Sequence, residues 1–280
     1  MPIGDAFVTA PTGFFGWVWL ILRQYWPLFL EGTKNTLIIA ISGTILGFGL
    51  GLLIAIGRAT QLGKNPVRRV LIRLLHGFLG AYIEAFRGTP MIVQAMVIYY
   101  GLVQGVIVQA IHKTNPSFQI PGLAVAVFIV SINTAAYIAE IIRGGIISVD
   151  VGQTEAAHSI GLTHWQTMVS VVLPQAIRNI MPSIGNEFVV NIKDSSVLNV
   201  IAVTELYFQT ASAAGTYLRY FEAFAICAII YLILTITVTR ILRFVERKMD
   251  GPENYTVRIH GSQTDSRAEL TLPVKEGGGA

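Results

Sequence analysis

Long apolar stretches separated by short charged segments dominate the chain between residues 31 and 248. The clearest stretch is residues 37–56, which contains no charged side chain. As an α-helix, these 20 residues would extend about 30 Å, which is the thickness of the hydrocarbon core of a bilayer. Glycine recurs at every fourth position in it, at Gly43, Gly47 and Gly51. This stripe either lets a neighbouring helix pack closely or faces lipid.

The lengths of the mainly apolar stretches predict five membrane-spanning helices. They cover about residues 37–56, 90–111, 121–142, 175–198 and 221–241. A shorter apolar piece at 74–86 is predicted to be an interfacial or half-inserted helix. Thr89 is predicted to cap the second span, with Pro90 at its first helical position. The aromatic residues 14–30 are interrupted by Arg23 and Pro27 and are therefore predicted to lie in the membrane interface.

The placement of basic residues predicts which loops are cytoplasmic. One basic cluster follows the first span and a second follows the last. They consist of Arg58, Lys64, Arg68, Arg69 and Arg73, and of Arg240, Arg243, Arg247 and Lys248. Because cytoplasmic loops are enriched in Lys and Arg, the N-terminus is predicted to lie outside and the C-terminus inside.

The chain is therefore predicted to be an all-α integral membrane protein with three parts. Residues 1–30 form an N-terminal interfacial segment, 31–248 a transmembrane domain, and 249–280 a polar, disordered cytoplasmic tail. The transmembrane domain includes a cytoplasmic coupling loop at 150–174, described below. The composition agrees, because 53% of the residues are hydrophobic and only 13% are charged, about half the charged fraction of a typical soluble domain.

Several kinds of chemistry are not expected. The single cysteine, Cys227, allows no intrachain disulfide and no thiolate metal site. A GxxxxGK[ST] nucleotide motif is missing, and we find no nucleophile–base set. The mild excess of four positive charges does not call for a nucleic-acid partner. We therefore expect a protein that is not an enzyme and binds no metal or cofactor of its own.

Two polar stripes lie inside the predicted spans. The first is Asn133, Tyr137 and Glu140 on the third span; the second is Glu187, Asn191 and Asp194 on the fourth, with Lys193 beside it. Ionisable groups at membrane depth cost about 2.5–3.5 kcal/mol each on insertion scales, so they are usually functional or paired. The stripes either line a passage for a zwitterion or hold the helices together through hydrogen bonds and ion pairs.

Glu84 and Arg87 precede the second span and are three residues apart on a helix. Side chains with this spacing are neighbours, so the two are predicted to form an ion pair. The pair would be a structural or gating element near the cytoplasmic face.

Residues 153–174 differ from their surroundings because they are polar and rich in small side chains. A helix is predicted over 154–162, with Glu155 near its start, where a carboxylate is favourable. Its small residues would allow another protein to approach closely. The candidate contact residues are Gln153, Glu155, Ala156, Ala157, Gly161 and Leu162. The alternative is an ordinary cytoplasmic connecting helix.

This stretch resembles the EAA loop of the membrane subunits of ABC importers. The family pattern is EAA, three residues, Gly, nine residues, and then Ile-x-Leu-Pro. Glu155, Ala156, Ala157 and Gly161 fall on it, as do Leu173 and Pro174, with Val171 in place of Ile. Further motifs resemble the polar amino acid branch of these importers over about residues 31–245. They are Gly32, Asn35-Thr36-Leu37, Glu84-x-x-Arg87-Gly88-Thr89-Pro90, Ala136-Tyr137 with Glu140, Arg143-Gly144-Gly145, Gly152-Gln153 and Lys193-Asp194-Ser195-Ser196.

The resemblance implies a permease subunit that works with several partners in a prokaryotic cytoplasmic membrane. These are a second permease subunit, ATPase subunits that carry ATP and Mg²⁺ and bind the EAA loops, and an extracytoplasmic amino-acid-binding protein. We expect substrate contact at Asn133, Tyr137, Glu140, Asn191, Lys193 and Asp194. The alternatives are a single-chain secondary transporter or channel for small polar solutes, or a membrane scaffold. Which amino acid is carried, and whether the two permease subunits are identical, stays open.

Overall fold

The computed structural model describes residue 11 and residues 13–60 and 65–250. This part of the chain is helical and contains no strand. The main helices are α1 (Phe14–Ala59), α2 (Pro66–Gly88), α3 (Met91–His112), α4 (Gly122–Ile147), α5 (Val151–Ser159), α6 (His164–Thr167), α7 (Leu173–Asp194), α8 (Leu206–Tyr217) and α9 (Tyr220–Asp250). The predicted all-α fold is confirmed. The predicted tail lies almost entirely outside the described residues, although α9 continues to Asp250.

The first helix is much longer than predicted. α1 runs without a break through Pro27 for 46 residues, about 69 Å at the α-helical rise. No helix break separates the predicted interfacial segment from the predicted first span. The N-terminal half of α1 stays helical because Ile21 and Phe29 are buried in a cluster with Leu206 of α8 and Ala223 of α9. That this half lies in the membrane interface stays a prediction.

The glycine stripe of α1 packs against α4 rather than facing lipid. A Cβ atom at Gly43, Gly47 or Gly51 would meet Val130, Thr134 or Ile138, respectively. The two series advance together along the chain, so α1 and α4 run in the same direction. This agrees with the predicted alternation, in which the first and third spans both run inward.

A helix break separates α2 from α3, just before the predicted second span. The hydroxyl of Tyr82 on α2 donates to the carbonyl of Ile132 near the middle of α4, so the C-terminal half of α2 contacts the middle of α4. Of the two predicted alternatives for this region, the structure favours half-insertion. The chain then breaks at Gly88, and α3 begins at Met91, with Pro90 as its N-cap. The prediction that Thr89 caps this helix is wrong, because the Thr89 hydroxyl donates back to the carbonyl of Ala85.

The side chain of Gln94 replaces backbone hydrogen bonds that are lost at this break. Its Nε2 atom donates to the carbonyl oxygens of Phe86 (2.8 Å) and Thr89 (2.9 Å), which the interrupted helix leaves without a backbone donor. Nδ2 of Asn133 on α4 in turn donates to Oε1 of Gln94 at 2.8 Å. The break is therefore an ordered feature attached to α4.

Within the described residues, four helices are both long and apolar enough to cross a membrane: α1, α3, α4 and α9. The predicted fourth span corresponds to α7, which continues into a 3₁₀-helix at Ser195–Ile201. α7 has 22 residues, about 33 Å, but it is too polar to meet the same criterion. Its membrane crossing stays a prediction, supported by its length and its packing against α1, α4 and α9.

The connection between α7 and α9 contains a short helix, α8. Glu205 caps it, with its carboxylate accepting from the backbone N–H groups of Tyr207 and Phe208 and from the hydroxyl of Tyr231 on α9. Burial raises the pKa of the Glu205 carboxyl, which is fully enclosed. The three donors compensate for that burial, and the contact with Tyr231 fixes α8 to α9.

Candidate functional site

The EAA-like stretch forms a short helix that ends earlier than predicted. α5 covers Val151–Ser159, and Asp150 caps it by accepting from the N–H of Gly152 at 2.6 Å. The predicted helix over 154–162 is therefore wrong in both bounds. Glu155 lies at the middle of the helix, and Gly161 lies outside it.

Gly161 closes α5 with a left-handed residue. Its φ is +86°, and its N–H donates to the carbonyl of His158 while the N–H of Leu162 donates to the carbonyl of Ala157. These two bonds form a Schellman motif, in which the left-handed residue is usually glycine. The backbone conformation of this chain therefore favours the glycine of the EAA pattern, and the contact of Gly161 with another protein stays a prediction.

Several large apolar side chains of residues 150–174 are exposed, and three of them are more than two-thirds exposed. Val151 is 69% exposed, Ile160 78% and Trp165 74%, and we call these three residues the docking surface. Gln153, Glu155 and Ala156 are exposed beside them, Leu162 is half-buried, and Ala157 faces its own chain. Exposed apolar side chains in one loop are candidates for protein–protein contact when they form a contiguous patch.

Two of the predicted substrate residues make hydrogen bonds within the bundle. Asn133 is bound to Gln94 at the helix break, as described above. Nδ2 of Asn191 on α7 donates to the hydroxyls of Thr44 on α1 (2.9 Å) and Thr134 on α4 (3.0 Å). Both amides are buried and hold helices together. The geometry thus favours the structural alternative for them, and substrate contact there stays a prediction.

Glu140 and Tyr137 face basic groups. Oε1 of Glu140 accepts from Nε of Arg143 at 2.7 Å, and its Oε2 atom is 3.9 Å from Nη1 of Arg58 at the end of α1. The guanidinium of Arg87 lies over the ring of Tyr137, 5.6 Å from its centroid. Arg143 belongs to α4 itself, whereas Arg58 and Arg87 reach α4 from α1 and α2.

The predicted pair of Glu84 with Arg87 does not form among the described residues, and Glu84 is exposed. Arg87 precedes the helix break, and its side chain reaches across to α4 instead. It lies within electrostatic range of Glu140 on α4 and Glu187 on α7. Helix breaks near the midplane of membrane transporters commonly adjoin substrate sites.

A groove along the other side of α7 brings the predicted Lys193 together with two arginines that the sequence did not place beside it. Lys193 lines a cavity of about 400 Å³ together with Arg240 and Arg243 of α9. The two arginines were predicted only as members of a cytoplasmic basic cluster. Their position became visible only from the packing of α7 against α9, which no local pattern shows.

Comparison with known proteins identifies the family. The family of binding-protein-dependent transport system inner membrane components matches residues 47–251, well over half of the chain. The chain belongs to this family.

Curated relatives of this inner membrane component cover nearly all of its transmembrane part. It is 36% identical over 231 residues to the glutamine transport system permease protein GlnP of Escherichia coli K12, covering 82% of this chain and 97% of that protein. It is 36% identical over 253 residues to the octopine transport system permease protein OccM of Rhizobium radiobacter (89% and 96% covered). It is 35% identical over 223 residues to the arginine transport system permease protein ArtQ of Bacillus subtilis (80% and 93% covered).

Solved structures of ABC transporter chains have a similar fold. A crystal structure of an amino acid ABC transporter with histidines has a chain 36% identical to this inner membrane component, with a TM-score of 0.71 and 85% of this chain and 100% of that chain covered. An inward-facing structure of the MetNI methionine ABC transporter, at 18% identity, has a TM-score of 0.60, with 79% and 96% covered. The second comparison supports the fold alone.

Metal binding has no structural support in the part of this inner membrane component that the structure describes. Groups of three or more His, Cys, Asp or Glu side chains with suitable geometry are absent there. His158 and His164, near the docking surface, therefore have no described role as ligands.

Gly161 allows a direct test of how the helix end is built. Replacing Gly161 with alanine is expected to destabilise the end of α5 by about 1–2 kcal/mol, because a Cβ atom is unfavourable at positive φ. Amide hydrogen exchange at residues 156–162 should become several-fold faster. Asparagine tolerates this conformation better, so Gly161→Asn should have a smaller effect. Equal exchange in wild type and Gly161→Ala would contradict the assignment.

Proposed function

We propose that this chain is the membrane-spanning subunit of an ATP-driven importer that moves a polar amino acid across the cytoplasmic membrane. The chain itself would catalyse no reaction, because ATP and Mg²⁺ would be held by a separate ATPase subunit. A second permease subunit and an extracytoplasmic binding protein would complete the importer. The named functions of the relatives, which include glutamine, arginine and octopine transport systems, support the substrate class.

The docking surface is the observation that carries the proposal. Val151, Ile160 and Trp165 expose apolar area at a loop between two helices that run in opposite directions. The antiparallel course of α4 and α7 follows from their contacts, since Gly145 meets Ile180 whereas Thr134 meets Asn191. With the basic clusters on the cytoplasmic side, this loop is also cytoplasmic, which is where an ATPase subunit would bind. The N-terminus would then lie outside and the C-terminus inside.

Alternating access would require contact with the ATPase subunit at the docking surface. ATP binding and hydrolysis would move the partner, the partner would move α5, and α5 would move α4 and α7, which it joins. A ligand that binds one of two conformations more tightly shifts the equilibrium towards it. The substrate pathway would run beside Arg87, Tyr137, Lys193 and Asp194, none of which is fully buried. The alternative of a single-chain transporter or channel leaves the docking surface without a use.

Purification and reconstitution test the proposal. The chain should co-purify from its native membranes with an ATP-hydrolysing subunit, and the reconstituted complex should hydrolyse ATP faster when a loaded amino-acid-binding protein is added. A panel of polar amino acids would identify the substrate class. If membranes containing the chain transport amino acids while no ATPase accompanies it, the single-chain alternative is correct.

Arg87 is expected to matter more for transport than its neighbour Glu84. Replacing Arg87 with glutamine removes the charge over Tyr137, and cation–π contacts contribute about 0.5–2 kcal/mol, so uptake into vesicles should fall several-fold. Glu84→Gln is the matched control, because Glu84 is exposed on the same helix, and it should change uptake less than about twofold. Equal effects of the two substitutions would contradict a role for Arg87 in the pathway.

A further inference from the structure

The N-terminal half of α2 exposes a continuous apolar face. Six large apolar side chains of residues 66–78 are between 41% and 71% exposed. They are Val67, Val70, Leu71, Leu74, Leu75 and Phe78, and we call these six residues the apolar face of α2. Spacings of three and four residues place them on one side of the helix. A contiguous exposed apolar surface of this kind marks a site that is covered by a membrane or by another protein.

Three exposed arginines belong to the same part of α2. Arg68 and Arg73 lie on opposite sides of the apolar face, and Arg69 lies behind it. None of the three forms an ion pair with another described residue, and the sequence has no acidic residue between Arg58 and Glu84. Arg68 and Arg69 are also close to the start of the helix, where a cation is unfavourable. Contacts within the described chain therefore do not explain these three charges.

The contacts of α2 place this half at the cytoplasmic end of the bundle. Nε2 of His76 is 3.2 Å from the carbonyl oxygen of Gly57, which lies two residues before the end of α1. Further along α2, Tyr82 contacts the middle of α4, so α2 runs from the end of the bundle towards its middle. The ten residues 66–75 precede His76 and extend about 15 Å. With the basic clusters on the cytoplasmic side, α2 therefore starts at the cytoplasmic surface of the membrane.

The course of the apolar face favours lipid over a protein partner. The face continues through Ala81 and Ala85, which are exposed in the half of α2 that contacts α4. It contains no charged side chain from Val67 to Ala85. A single apolar surface thus extends from membrane depth to the cytoplasmic end of the helix. Helices with an apolar face and basic residues beside it typically lie at the boundary between lipid headgroups and acyl chains.

We propose that the N-terminal half of α2 binds anionic phospholipids of the cytoplasmic leaflet. The apolar face contacts acyl chains, and Arg68, Arg69 and Arg73 bind the phosphates of the headgroups, because long basic side chains can extend from an apolar surface to the interface. This inference goes beyond the proposed function and depends on neither an ATPase nor a substrate. Since α2 ends at the helix break beside Arg87, lipid at its start also fixes the helix that carries Arg87.

Thiol labelling in lipid nanodiscs tests the proposal on the full chain without an ATPase. In a Cys227→Ser background, Leu71→Cys places one thiol on the apolar face, and its labelling by a water-soluble maleimide is timed. Labelling should be at least about tenfold slower in equal parts of phosphatidylglycerol and phosphatidylcholine than in phosphatidylcholine alone, because each arginine at an anionic surface strengthens binding about fivefold. Gln153→Cys is the control, since Gln153 is exposed on α5, and it should label at the same rate in both lipids.

Charge variants distinguish anionic lipid from other occupants of the apolar face. Glutamine at Arg68, Arg69 and Arg73 together should abolish the difference between the two lipids, whereas lysine at all three should keep it. Equal labelling of Leu71→Cys in both lipids, whether fast or slow, overturns the proposal, and so does a difference that survives the three glutamines. If Leu71→Cys is protected only after an ATPase subunit is added, the apolar face binds that subunit and the proposal is wrong.

Discussion

Replacing Ile160 and Trp165 together with aspartate is expected to abolish coupled ATP hydrolysis in the reconstituted importer. Both side chains are about three-quarters exposed in this chain, so they are free to be buried by an ATPase subunit. Burying a large apolar side chain contributes about 1.5–3 kcal/mol, and a charge would be costly in the same place. The loss of two such contacts corresponds to binding that is at least about 100-fold weaker.

The measurement is co-purification of the ATPase subunit, followed by substrate-stimulated ATP hydrolysis. Ile160→Val with Trp165→Phe is the matched control, since it keeps both positions apolar and should retain binding within a few-fold. The double aspartate variant should still insert into the membrane, because α5 and α6 are separate from the apolar helices. If it copurifies with as much ATPase as wild type, the docking surface has been assigned incorrectly.

Local sequence patterns predicted the helices well and their ends less well. Apolar length predicted α3, α4 and α9, because burial in lipid requires an unbroken apolar helix. The same reasoning failed at Pro27, where packing against α8 and α9 keeps α1 continuous despite the missing N–H. The predicted helix over 154–162 was also too long, because the EAA spacing does not show that Gly161 adopts a positive φ angle and ends the helix.

In the candidate site, too, the sequence predicted some features and missed others. The polar stripes were visible because charges and amides are unusual in apolar runs, yet the stripes did not show which groups are already paired. Asn191 binds Thr44 and Thr134, which are far away in the sequence, so only the packing of three helices reveals that its amide is satisfied. Arg240 was assigned by its neighbours in sequence to a basic cluster, whereas its neighbour in space is Lys193. Long-range contacts of this kind have no local pattern.

Gly47→Leu is expected to separate α1 from α4 and leave little folded protein. A Cβ atom at Gly47 would lie 2.7 Å from Cβ of Thr134 and 3.0 Å from the carbonyl oxygen of Ser131. The second contact is with backbone, which cannot move aside as a side chain can. Overpacking typically costs about 1–3 kcal/mol, and a shift of α1 would also break the bond of Asn191 with Thr44. The loss should therefore exceed that of a single contact.

Gly49→Leu separates this effect from a general response to leucine in α1. Gly49 lies two residues away on the same helix, is exposed, and a Cβ atom there would meet nothing within 4 Å. Leucine also forms helices better than glycine by nearly 1 kcal/mol, so this variant should fold as well as wild type or better. The two proteins would be compared by the yield of monodisperse protein in detergent and by the thermal unfolding midpoint. Equal midpoints would mean that the glycine stripe does not determine how closely α1 approaches α4, and that the hydrogen bonds of Asn191 hold these helices together on their own.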